Sequence, residues 1–211
     1  MMASITHYLK NAQLNLLGLL ACACLFACMV GGVRAQSPGS EISLLKVERA
    51  GDAILLTATA RFDLSTAVED ALLKGVAVFF VAEADVYRER WYWTNKRVVS
   101  AERHMRLAYQ PLTRRWRLNV ASGLITNAGL GMALNQNFES LSDALAAVQR
   151  VSRWKISEAS DIDVQQTYLI EYRFRLDAAQ LPRPLQIGTL GQSDWDITAL
   201  TRRPLVMESA K

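Results

Sequence analysis

The highest density of basic side chains in the sequence lies in residues 88–117. This stretch holds nine arginines and lysines against two glutamates, which gives it a net charge of +7, while the whole chain carries +4. Tryptophans and tyrosines are interleaved with the basic residues. Arginines beside aromatic rings are typical of surfaces that bind anions. We therefore predict that Arg88, Arg90, Arg115 and Arg117 bind a partner.

The same arginines have a second interpretation as the solvent-facing side of ordinary strands. In that arrangement they pair with acids on neighbouring strands, and Glu171 and Asp177 are candidates in this sequence. Such cross-strand pairs stabilise a sheet by only about 0.2–1 kcal/mol each. The two interpretations differ in whether acids neutralise the arginines.

Few other side chains have the types and spacing that catalysis needs. His104 is the one histidine beyond residue 35, and an imidazole can act as a general base or a metal ligand, but no Gly-x-Ser-x-Gly string supplies a nucleophile. Asp161 with Asp163, and Asp194 with Asp196, have a spacing of about 7 Å that would suit a glycosidase or a cation. Both pairs lack the oxygen-rich loop of a calcium site. We expect all five to be surface residues, and we predict no catalytic residue, no metal and no cofactor.

The first 35 residues have the composition of a secretory signal. Residues 16–33 carry no charge, Lys10 precedes them, and the small residues at 33 and 35 have the spacing that a signal peptidase recognises. We predict cleavage before Gln36 and a periplasmic location. The alternative is an uncleaved segment that anchors the protein in the inner membrane, since eighteen apolar residues just reach the length that spans a bilayer. Membrane contact is expected only through this segment.

All three cysteines lie at positions 22, 24 and 28, inside the same segment. The rest of the chain therefore has no thiol, which excludes cysteine catalysis, disulfides and zinc fingers there. Basic residues interleaved with aromatic ones also occur in proteins that bind single-stranded nucleic acid. Export argues against that function, so we predict no nucleic-acid partner.

Period-two alternation of apolar and polar residues dominates the rest of the chain. It extends over 52–64, 114–121 and 168–177, and it predicts strands with one face on a core. Residues 76–82 are apolar on both faces, as in a central strand. We predict that residues 98–109 form the strand beside it. From this pattern we expect one buried cluster that contains Phe62, Trp116, Tyr172 and Phe174.

Two segments have helix signatures instead. Residues 65–75 begin with a capping serine and end with a glycine, and 140–150 has Asp143 three residues after Ser140. We interpret 122–137 as a long loop, 195–198 as a last edge strand and 201–211 as a flexible tail. The fold class is mainly β, an antiparallel β-sandwich-like domain over 36–200 with two short helices. The alternative is an open antiparallel sheet with both helices on one face, an α+β fold.

Several strings occur together in a distinctive order. They are ALLKG at 71–75, RERWYW at 88–93, RLAYQPLT at 106–113, FESLSDAL at 138–145, YRFRLD at 172–177, LPRPL at 181–185 and DW at 194–195. In this order they resemble the domain-of-unknown-function family numbered 4390, a group of exported proteobacterial proteins. The resemblance covers about residues 41–200. It implies an exported single domain and a link to a membrane sensor kinase, and it implies no activity.

Taken together, these features predict a binding protein and not an enzyme. We expect a periplasmic module of the cell envelope whose partner is an envelope protein or an anionic envelope component. The alternative is a module that binds a small ligand in a pocket between the sheets, covered by the 122–137 loop.

Overall fold

Strands make up most of the described part of the protein. The computed structural model describes residues 39–90, 92, 94–123, 134–163, 165–183, 185 and 193–209. The strands are β1 (Glu41–Ala50), β2 (Ala53–Arg61), β3 (Val78–Arg88), β4 (Lys96–Gln110), β5 (Arg115–Ala121), β6 (Leu134–Phe138), β7 (Arg150–Glu158), β8 (Tyr168–Leu176), β9 (Thr198–Pro204) and β10 (Met207–Ser209). The α-helices are α1 (Thr66–Leu73) and α2 (Leu141–Gln149).

The strands form two sheets that share one core. The small sheet has the order β10-β1-β2-β7, and the large sheet has the order β6-β5-β4-β3-β8-β9. Neighbouring strands are antiparallel except β1 and β10, which run parallel with Val47 opposite Met207. Buried residues of both sheets belong to a single hydrophobic cluster. The prediction of a mainly β, sandwich-like domain with two helices is therefore confirmed.

Alternation along the strands explains how the core is filled. Every second residue of β8, from Tyr168 to Leu176, is buried, and β2 follows the same pattern. Phe62, Trp116, Tyr172 and Phe174 all lie in the shared core, as predicted. Strand β3 lies between β4 and β8 and is buried on both faces near its start, which is the expected position of a central strand.

Both helices begin at the serines that the sequence indicates. Ser65 Oγ accepts a hydrogen bond from the Val68 amide at 3.3 Å, and Ser140 Oγ accepts one from the Asp143 amide at 3.1 Å. Gly75 follows α1 with a φ of 83°, in the left-handed region that favours glycine. Each helix buries small and branched residues on one side, so each adds to the core without extending a sheet.

Three boundary predictions differ from the structure. Residues 134–137, predicted as part of a long loop, belong to β6, while 124–133 lie outside the described residues. The last long strand begins at Thr198, three residues later than predicted, because Trp195 ends a 3-10 turn. The predicted flexible tail is wrong for 201–209, since β9 pairs with β8 and β10 pairs with β1.

The predicted export segment, residues 1–35, lies outside the described residues. Within the described part of the chain, no helix has the length and apolar character needed to cross a membrane. Cleavage before Gln36 stays a prediction.

Candidate functional site

The structure separates the four predicted partner-binding arginines into two pairs. Arg88 is the last residue of β3 and lies opposite Lys96, the first residue of β4. Arg90 comes two residues later and is exposed. The other pair begins β5, where Arg115 lies opposite Gln110 at the last residue of β4.

From Lys96 to Gln110, β4 advances by fourteen residues, which corresponds to about 45 Å along the strand. The four arginines therefore do not form one compact surface. Because the 88–117 run folds into three adjacent antiparallel strands, residues that are close in sequence lie at opposite ends of the sheet.

Much of the charge on the outer face of the large sheet is neutralised internally. A charge network occupies β3, β8, β9 and the start of β4 on this face. It comprises Glu83, Asp85, Arg97, Glu171, Arg173, Arg175, Asp177 and Arg202. Its shortest contact joins Arg175 Nε to Glu83 Oε1 at 3.0 Å. Glu171 and Asp177, the acids predicted to pair with the arginines of 88–117, pair instead with arginines of β8 and β9, namely Arg173, Arg175 and Arg202. Of the four predicted arginines, Arg115 pairs with a different acid, Glu139, at 3.8 Å.

The other half of the same face has a different composition. Here β4, β5 and β6 present an arginine–asparagine face, which consists of Arg106, Arg117, Asn119, Asn135 and Asn137. Asn119 lies directly opposite Arg106 on one side and Asn135 on the other, while Arg117 lies opposite Asn137. No carboxylate belongs to this group.

The two arginines of this face lie close enough to repel each other. Arg106 and Arg117 are diagonal neighbours across β4 and β5, a position that places Cα atoms about 7–8 Å apart. Burial lowers the pKa of Arg106, and the nearby charge of Arg117 lowers it further. Arg117 Nε donates a hydrogen bond to Asn137 Oδ1 at 3.4 Å. Neither arginine forms an ion pair with any residue that the structure describes.

Two buried polar side chains, Asn119 within this face and His104 beside it, have unused hydrogen-bonding atoms. Asn119 is 2% exposed; its Nδ2 donates to Asn135 Oδ1, while its own Oδ1 has no partner. His104, predicted as a surface residue, is 4% exposed. Its Nε2 lies 3.3 Å from Glu102 Oε2, and its Nδ1 has no partner. The prediction that His104 is a surface residue is wrong: β4 lies inside the sheet, and His104 is flanked there by Val81 of β3 and Ala121 of β5.

The acid pairs serve local structure. Asp161 Oδ2 accepts from the Glu158 amide at 3.1 Å, Asp163 Oδ1 accepts from the Gln165 amide at 2.9 Å, and Asp196 Oδ1 accepts from Thr198 Oγ1 at 3.0 Å. Among the residues described, no group of three His, Cys, Asp or Glu side chains could hold a metal ion. These carboxylates cap turns, as surface acids commonly do.

The model of the family described as Domain of unknown function (DUF4390) matches residues 37–203. The chain belongs to this family. No curated protein and no solved structure matches the chain. The matched range contains the whole arginine–asparagine face and the charge network, so both lie inside the family's domain. The family's description states no activity, and the geometry of these surfaces is what bears on function.

A cleft within the same DUF4390 domain opens beside β4 where β5 ends. It has a volume of about 360 Å³ and is lined by Ala101, Glu102, Gly123, Trp154 and Lys155, among others. Strand β5 pairs with β4 only from Gln110 to His104, so the part of β4 before His104 borders the cleft. The cleft begins where the predicted 122–137 loop begins, although most of that loop lies outside the described residues.

Proposed function

We propose that the chain is a non-enzymatic binding module of the cell envelope, and that its arginine–asparagine face recognises an acidic surface of another envelope protein. The location rests on the predicted export segment. A membrane sensor kinase is the first partner to test, because the family resemblance suggests that link. The proposal retains Arg117 of the four predicted arginines and adds Arg106.

One observation carries this proposal: Arg106 and Arg117 form no ion pair with any described residue, whereas the arginines of the charge network on the same sheet face are paired with acids. Two cations at neighbouring positions repel each other, and partial burial of Arg106 strengthens that effect because less water screens it. An anion placed between them removes the repulsion and gains charge-assisted hydrogen bonds. The arrangement is therefore more stable with an anionic partner than without one.

The asparagines give the face its selectivity. Each amide can both donate and accept hydrogen bonds, so Asn135 and Asn137, which are exposed, suit the mixed polar groups of a protein surface. Uniformly anionic lipid headgroups would have no use for amide donors and acceptors in fixed positions. Strand β6 pairs only with β5 among the described strands, so its outer edge also offers backbone groups to a partner.

The proposal can be tested by photo-crosslinking in intact cells. A photoreactive amino acid replaces Glu139, which is exposed just after β6 and next to the face. We expect one dominant crosslinked protein, and we expect Arg117→Glu to remove most of it. Arg90→Glu is the matched control, since it makes the same charge change on an exposed arginine near the opposite end of the sheet.

The outcomes separate the possible partners. Equal loss in both variants would indicate attraction to net charge alone and would contradict a defined face. Crosslinking to lipid or glycan in place of protein would keep the face but change the class of partner to an anionic envelope component. An unchanged product in Arg117→Glu would refute the proposal.

A further inference from the structure

A pocket lies between the two sheets where the chain passes from β9 to β10. It has a volume of about 210 Å³. Residues of β1, β8, β9 and β10 line it together with the link between the last two strands; they are Leu45, Lys46, Val47, Ile170, Arg203, Pro204, Val206 and Glu208. An apolar protein cavity of about 150 Å³ can hold a benzene molecule. The pocket therefore has room for a ring or a short branched chain with one polar group attached.

The floor of this pocket is apolar. Leu45, Val47 and Ile170 line it and belong to the core that both sheets share. Val206 also lines it but is 73% exposed, which places it at the rim. A ligand that covers these side chains removes apolar surface from water, and this favours binding.

Arg203 supplies a positive charge to the wall of the pocket. It lies opposite Ile170, so its side chain leaves β9 on the same face of the large sheet as that buried residue. Its Nη2 donates a hydrogen bond to the carbonyl oxygen of Leu45, in β1 of the small sheet. Arg203 forms no ion pair with any residue that the structure describes. A guanidinium has five N–H donors, so most of them remain for a ligand.

The other two charged side chains of the lining neutralise each other. Lys46 Nζ lies 2.8 Å from Glu208 Oε2, and it also lies 2.9 Å from Glu48 Oε1. Arg203 is therefore the lining residue whose charge has no counter-ion within the described part of the chain.

Charge and shape together select the ligand. The planar guanidinium fork matches the two oxygens of a carboxylate, and charge-assisted hydrogen bonds of this kind are strong. One unpaired positive charge balances one negative charge, while the Glu208 carboxylate in the lining repels a second. The apolar floor favours a hydrocarbon part over a hydroxylated one.

We propose that this pocket binds a small monocarboxylic acid, whose carboxylate pairs with Arg203 and whose apolar part packs on Leu45, Val47 and Ile170. The pocket shares no lining residue with the arginine–asparagine face, so the inference does not depend on the proposed envelope partner.

The test uses sodium benzoate as the probe, with protein purified from its full-length coding sequence. Benzamide is the first comparison, because it has the same ring without the charge. Inorganic phosphate is the second, because it has charge without an apolar part. The readout is the NMR signal of the Val206 methyl groups, assigned with Val206→Ala. We expect a saturable shift with benzoate and much smaller shifts with benzamide and phosphate.

A pair of neighbouring arginines gives the test a matched control. Arg203→Gln should weaken benzoate binding by about tenfold or more, since a charge-assisted pair is lost. Arg202→Gln removes the same charge one residue earlier in β9, on the outer face of the sheet, where Arg202 lies opposite Glu171. This variant should bind benzoate like the original protein.

Two further variants keep the test decisive if Arg203→Gln does not fold. Arg203→Lys retains the charge without the planar fork and should bind benzoate several-fold more weakly. Val206→Glu places a negative charge at the rim, on a side chain exposed enough to leave the core intact, and should remove most of the binding.

Four results would overturn the proposal. They are no saturable shift up to about 10 mM benzoate, equal binding of benzamide or of phosphate, unchanged binding in the Arg203 and Val206→Glu variants, and an equal loss in Arg202→Gln. Equal binding of benzamide would indicate an apolar cavity without a carboxylate site. An equal loss in Arg202→Gln would indicate attraction to net charge alone.

Discussion

Phe174 is the side chain whose removal gives the clearest test of the sandwich. It lies on the inner face of β8 and is 0% exposed. Its ring stacks on Phe62, just after β2, with centroids 5.2 Å apart, and on Phe80 of β3 at 5.7 Å. Phe174 of β8 therefore contacts rings from both sides of the core. Replacement by alanine removes both ring contacts at once.

The expected loss follows from those contacts. Truncation of a buried phenylalanine to alanine usually costs about 3–5 kcal/mol. Each aromatic pair adds about 0.5–1.5 kcal/mol beyond the area buried, and Phe174 takes part in two such pairs. We therefore expect Phe174→Ala to lower the free energy of unfolding by about 4–5 kcal/mol, near the upper end of that range.

Urea unfolding followed by fluorescence measures this loss as a lower midpoint with an unchanged slope. Phe79→Ala is the matched control, because Phe79 is half-buried on the opposite face of β3. It should cost less than half as much. A loss below about 1 kcal/mol for Phe174→Ala would mean that the ring is not held between two sheets, and the assignment of strand faces would be refuted.

Three other outcomes are expected. Glu83→Gln leaves Arg173 and Arg175 without their shared carboxylate and should lower stability by about 1 kcal/mol in low salt, with a clearly smaller loss in 1 M NaCl if the charge network matters. Because burial raises the pKa of Tyr172, the folded chain keeps a proton that the unfolded chain loses above about pH 10. Stability should therefore fall as pH rises above 10, and Tyr172→Phe should reduce that slope in urea titrations at successive pH values. Mass spectrometry of the exported protein should find Gln36 at its start; a chain beginning at Met1 would contradict cleavage.

Sequence patterns predicted the strands whose alternation is regular. Strands β2 and β8 alternate without interruption inside their predicted ranges, and both helices have serine caps that act locally. Strand β7 was not predicted because its alternation is broken. Arg153 has a φ of 47°, and the register between β2 and β7 shifts twice, so apolar residues do not recur with period two.

The candidate site could be predicted only in part for a related reason. Period two in 114–121 places Asn119 on the solvent-facing side of its strand. In the structure β6, which the sequence analysis predicts as loop, pairs with β5 and brings Asn135 against Asn119. The basic run is evident in the sequence, but strand register decides which of its residues are neighbours. The observed register makes Arg106 and Arg117 diagonal neighbours and places Arg88 far from both.

The parallel pairing of β1 with β10 has a consequence for how the chain folds. Val47 and Met207 are 160 residues apart, and β7, on the other side of the β1–β2 hairpin, begins about 90 residues after β2 ends. The hairpin can form early, but an isolated two-stranded hairpin is marginally stable. The two edges of this hairpin pair with β7 and β10, which are synthesised much later, and contacts between residues so distant in sequence slow folding. During that interval the exposed edges of β1 and β2 are the part of the chain most vulnerable to aggregation, so a holding chaperone would act first on residues 41–61.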